Sequence, residues 1–131
     1  MKEKLISSDD RLKEIFRLRR QFMDSLSEVI PTAIPENIDI SSKQGQKYLR
    51  DLALHGVEEM FEALQHLKNW KSHRQTEVKG SLDSEEFLEE IVDAFNYFFS
   101  LIILAGYNED DLFEAYLKKD KIINQRLKSG Y

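Results

Sequence analysis

Residues 83–105 read DSEEFLEEIVDAFNYFFSLIILA. Counted at about 100° per residue, Phe87, Leu88, Ile91, Val92, Phe95, Phe98, Phe99, Leu101, Ile102 and Ile103 cover more than half of a helix circumference. Glu86, Glu89, Glu90, Asp93, Asn96, Tyr97 and Ser100 share the narrow strip that remains. A surface helix needs only an apolar stripe, so this segment is predicted to be a central helix of a bundle. A polar strip on an otherwise buried helix is expected to face a cavity or an ion, because an unpartnered polar group costs free energy in an apolar setting. Asp83-Ser84-Glu85-Glu86 offers a capping box at its start, and Gly106 marks its end.

The flanking sequence repeats the helical period. Over 9–30, Leu12, Ile15, Phe16, Phe22, Met23, Leu26, Val29 and Ile30 recur at helical spacing behind Asp9 and Asp10, which suit the positive end of a helix dipole. Pro31 and Pro35 then impose an irregular connection over 31–42. Ser41-Ser42 starts a second helix, predicted over 43–70 and lined by Leu49, Leu52, Ala53, Val57, Met60, Phe61, Leu64 and Leu67. Residues 71–82 are polar and read as a loop, and Asn108 followed by three acids starts a fourth helix that runs to Gly130. No strand alternation is present. The expectation is one all-α domain over 1–131, a four-to-five-helix bundle whose apolar surplus is completed by oligomerisation, as a dimer or tetramer.

Composition narrows the function classes. A chain of 131 residues with net charge -5, 41% hydrophobic and 33% charged, belongs with soluble globular proteins. It has no cysteine, so it has neither disulfides nor thiolate metal sites, which fits a cytoplasmic setting. The amino-terminal stretch shows no apolar leader, and the longest apolar run, Tyr97 to Ala105, is too short for a bilayer, which takes about 20 residues. The acidic balance argues against a duplex nucleic-acid binder. Partners are therefore expected to be a small substrate and further copies of the chain, with no nucleic acid and no membrane.

Two carboxylate pairs carry the chemistry. Glu59 and Glu62 on the second helix, and Glu90 and Asp93 on the third, each stand one helical turn apart on one face. Both pairs border apolar surface, whereas ordinary solvated acids lie opposite it. Four such oxygens suit a hard divalent cation, Mg²⁺ or Mn²⁺ in its place, and point to metal-dependent phosphate chemistry. His55 and His66 can complete a zinc site with Glu59 or Glu62, but neither shows the His-x-x-x-His spacing of common zinc helices. Trp70 and Tyr97 can stack on a base, although aromatics at this spacing are more often core. Near the carboxyl terminus the charge reverses: Lys118, Lys119, Lys121, Arg126 and Lys128 face only Asp120. Lys119 and Arg126, seven apart, share a face.

An ExxE on one helix and an ExxD on the next, with 27 residues between Glu62 and Glu90, resembles the all-α nucleoside triphosphate pyrophosphatases, which include the MazG-like enzymes and the dimeric dUTPases. The similarity runs from about Gln46 to Tyr131, and ExxE…LKNWK…EEIVDAFNYFFSL…AYLKKDK…R…GY looks closest to the dUTPase-like branch. The resemblance implies metal ligation by Glu59, Glu62, Glu90 and Asp93, with Glu59 or Glu62 activating water. It implies phosphate contacts from Lys119 and Arg126, and base-reading side chains on the first helix, where Gln21 and Asp24 are the candidates. Trp70, Asn96 and Tyr97 are expected to line the base pocket from beside the carboxylate strips. The activity implied is hydrolysis of a deoxynucleoside triphosphate, dUTP first, to monophosphate and pyrophosphate. Departures lie at Asn96-Tyr97, where that branch carries His-Phe, at Asp120 and Ile123 in place of an Asn, and at Leu127 in place of a Gln. The alternatives are the same reaction on dCTP, dGTP or a broad set, and a catalytically silent helical module binding partners through Phe95, Phe98 and Phe99.

Overall fold

The structure, a computed structural model, describes residues 9–78 and 80–130. The amino-terminal stretch 1–8, read above for a leader, and Tyr131 of the tail motif lie outside the described residues. Four helices follow in order, α1 (Arg11–Val29), α2 (Lys43–Leu64), α3 (Ser84–Leu104) and α4 (Glu109–Ser129), and the described residues include no strand. The chain is all-α, as the periodicity predicts. No described helix is long and apolar enough to cross a membrane.

Local chemistry sets most of the boundaries. Asp10 caps α1 by accepting from the Lys13 N–H at 3.0 Å, and Ser42 caps α2 by accepting from Gly45 N–H at 2.9 Å. At α4 the box is reciprocal: Asn108 Oδ1 accepts from Asp111 N–H and Asp111 Oδ2 from Asn108 N–H, both at 2.9 Å. Past α3, Gly106 adopts φ +97° and donates to Ile103 O, while Tyr107 N–H reaches Ile102 O, both at 3.0 Å. This pair of bonds satisfies two end carbonyls and needs the left-handed residue that glycine supplies.

α2 departs from expectation: it ends at Leu64 rather than near 70. Its last amides tighten, with Gln65 N–H near both Phe61 O and Glu62 O, His66 N–H on Ala63 O at 3.1 Å and Leu67 N–H on Leu64 O at 3.0 Å. Asn69 Oδ1 then accepts from Val78 N–H at 2.7 Å, which ties the loop to the chain before it.

Internal contacts divide the chain into two compact units. Of the described residues, those up to Ile38 and those from Ile102 onward form the first, in which Phe16 is fully buried and Met23 nearly so. There Arg20 Nη2 pairs with Glu109 Oε2 at 2.7 Å while its guanidinium carbon lies 5.5 Å from the Phe16 ring centroid. Asp39–Leu101 form the second unit. Its buried residues are small: Gly45, Gly56 and Ala63 on α2, Ala94 and Ser100 on α3. A Cβ at Gly56 would stand 2.9 Å from Phe98 Cζ, so the glycine lets the α3 phenylalanine reach the α2 backbone. Within the single chain Leu88, at 61% exposed, and Val92 and Phe95, each about half exposed, remain open on α3.

Candidate metal centre

Three of the four acids of α2 occupy its last two turns. Glu58, Glu59 and Glu62 sit where the helix presents its unsatisfied carbonyls, and no basic residue stands in the last turn. Negative charge at that end opposes the dipole, so sequence and helix electrostatics conflict there unless a cation intervenes. Glu86 and Glu90 lie in the first two turns of α3, one turn apart.

Glu59 is half-buried, and its carboxyl is held above the usual carboxylate range. Burial is the largest cause, followed by the charge of Glu62, a hydrogen bond shared with Glu62, and the charges of Asp93 and Glu90. The other three carboxylates singled out in the sequence therefore all act on Glu59 within the second unit. Glu62 and Asp93 are exposed, and Glu90 is half-buried.

The tightest group is a different one. One donor atom each of His66, Glu86 and Glu90 lies within 4.8 Å of the other two, and no other trio among the described residues is so close. His66 Nε2 stands 2.7 Å from Glu90 Oε2. That oxygen is buried and takes no hydrogen bond, so the short approach is not aligned along an N–H. The Phe87 ring meets the imidazole edge-on at 6.2 Å. His55 goes elsewhere, with Nδ1 3.7 Å from Glu58 Oε2 and its ring 5.6 Å from that of Tyr97. The pairing of both histidines with Glu59 or Glu62 is not what the structure builds.

The remaining candidates are spread out. Trp70 is 71% exposed in the loop and lines an apolar cleft of about 560 Å³ with Phe61, Leu64, Gln65 and Leu67. The Lys71 ammonium lies 5.5 Å from its ring centroid. Asn96 and Tyr97 are half-buried on α3. Gln21 and Asp24 belong to the first unit, where they line a polar groove with Arg17, Arg20, Ser25 and Glu28. Lys119 and Arg126 are exposed on α4 in that same unit.

Sequence reasoning placed Glu86 on the polar strip and His66 at a helix edge without joining them. The Glu86-x-x-x-Glu90 spacing was the available signal. The approach of His66 depends on where α2 stops, which its apolar period conceals. Comparison with protein-family models, curated proteins and solved structures finds no match for this chain.

Proposed function

We propose that the chain is a Mg²⁺-dependent nucleoside triphosphate diphosphatase, converting a deoxynucleoside triphosphate, dUTP first, to the monophosphate and pyrophosphate. The observation that carries this reading is that Glu59 is half-buried with the carboxylates of Glu62, Asp93 and Glu90 acting on it. Carboxylates so placed repel one another and any phosphate, and an oxygen-only donor set of this kind fits a hard dication. Glu59, Glu62, Glu90 and Asp93 would hold the ion. When bound, it supplies neutralisation of phosphate oxygens and a more acidic water.

The chain's own part is proton handling and orientation. Glu59 or Glu62 takes the proton of a water whose oxygen bonds to the α-phosphorus as the α–β bridging bond breaks and pyrophosphate leaves. Burial, and then the neighbouring carboxylates, raise the proton affinity of Glu59 in the cation-free site. Lys119 and Arg126 are proposed to contact phosphate, on the strength of the family resemblance, and the exposed Trp70 to stack on the base. The open apolar residues of α3 also suit a helical interaction module without activity, and turnover separates the two readings.

The test is a panel of common ribo- and deoxynucleoside triphosphates with Mg²⁺ and product identification. Monophosphate plus pyrophosphate is expected, lost in Glu62→Gln and in Asp93→Asn with helical content retained. Arg126→Ala should lower kcat/KM at least about tenfold, or roughly 1.4 kcal/mol. Wild-type turnover in either carboxylate variant would remove the assigned site, and diphosphate plus phosphate would replace the assigned reaction.

A further inference from the structure

We propose that His66, Glu86 and Glu90 form a second metal site, for a borderline transition ion such as Zn²⁺, distinct in chemistry from the carboxylate set and sharing only Glu90 with it. The donors are one imidazole nitrogen and two carboxylate oxygens within 4.8 Å of one another. Imidazole suits zinc, cobalt and nickel, whereas Mg²⁺ takes oxygen ligands. Donors bound to zinc at about 2.0–2.2 Å stand about 3.3 Å apart in a tetrahedron. His66 Nε2 and Glu90 Oε2, at 2.7 Å, need only a small opening to admit the ion.

A second observation points the same way. Glu90 Oε2 is buried and accepts no hydrogen bond, although a ring nitrogen stands 2.7 Å from it. A buried carboxylate oxygen left in that condition is costly unless something else meets its lone pairs. A cation between the two atoms would satisfy both at once. Glu86 and Glu90 are one turn apart on α3, so a single helix face presents both oxygens, and the turn that ends α2 supplies the nitrogen.

Three protein ligands leave a fourth position open, the pattern of zinc sites that bind water or substrate rather than of closed structural ones. A cavity of about 270 Å³ is lined by His66, with Asn69, Ser81 and Asp83 among others, so open space adjoins one of the three donor residues. The carboxylate set therefore has a neighbour that would select a different metal, and loading one site removes Glu90 from the other.

Co²⁺ serves as a visible probe. The full chain, stripped with a chelator, is titrated with Co²⁺ while absorption in the d–d region is followed, and Zn²⁺ is then added to displace it. One ion per chain is expected, with affinity reduced about tenfold or more in His66→Gln and in Glu86→Gln and unchanged in His55→Gln. Glu86 is exposed, so its variant keeps the test valid if His66→Gln fails to fold. The site is overturned if the native chain shows no d–d bands, if Glu86→Gln binds as tightly as the native chain, or if His55→Gln loses as much. Absorption is read without turnover, so a failed hydrolysis assay and a failed metal site are separate results.

Discussion

Glu109 and Glu59 are carboxylates pushed in opposite directions, and the pH dependence of stability should show both signs. The Arg20 guanidinium's hydrogen bond holds Glu109 below the usual carboxylate range, aided by its backbone amide. A lowered folded pKa contributes stability that is present above the unfolded value and lost as pH falls through the folded one. Glu109→Gln should therefore melt below the native chain at pH 7 by about 0.2–1 kcal/mol, and the two curves should converge in acid. Glu59 is raised, first by burial and then by Glu62, so its contribution is present in acid and lost as pH rises through its folded pKa. In chelator, Glu59→Gln should melt above the native chain at neutral pH, with the gain fading on acidification. Thermal melts of both variants across pH check the pair; parallel curves would contradict these assignments.

Between α2 and α3 the approach depends on Gly56. Replacing glycine inside a helix ordinarily gains stability, but any Cβ here meets Phe98 Cζ at 2.9 Å. Gly56→Val should cost about 1–3 kcal/mol in denaturant unfolding, as overpacking does. The caps of these elements were legible because they are local: Asp10, Ser42, Asn108 and Gly106 each act within four residues of their position. The end of α2 was not legible, since Leu67 and Trp70 keep the apolar period and no glycine or proline interrupts it. The two acid pairs were legible as spacing. The His66–Glu86–Glu90 group was not, because it joins a turn to a helix eighteen or more residues further on, and only tertiary structure brings them together. Asp83 does accept from Glu86 N–H at 3.0 Å, as a capping box requires, yet the Glu86 carboxylate belongs to that group.

At the scale of the molecule, each unit leaves apolar side chains open. In the second, Leu54, Val57, Phe61 and Leu64 form a stripe on α2, while Leu88, Val92 and Phe95 do so on α3. In the first, Ile15, Leu18 and Phe22 on α1 and Phe113, Tyr116 and Leu117 on α4 are exposed. Surface of this kind is normally covered by another protein surface. The native chain should sediment as a dimer or larger at micromolar concentration, and Phe95→Lys should shift it towards monomer with helical content kept. A native monomer under those conditions would end the expectation of self-association.

The early end of α2 and the acids in its last turns have one further consequence. A helix terminus carrying unopposed like charge frays, so the peptide groups around Glu59 to His66 should exchange their hydrogens with solvent faster than those of the same helix near Gly45. Supplying a dication would quench the repulsion and order that turn together, which makes ion affinity and local folding a single equilibrium. Amide protection over 59–66 is then a direct readout of how much cation the protein holds, in the absence of any nucleotide.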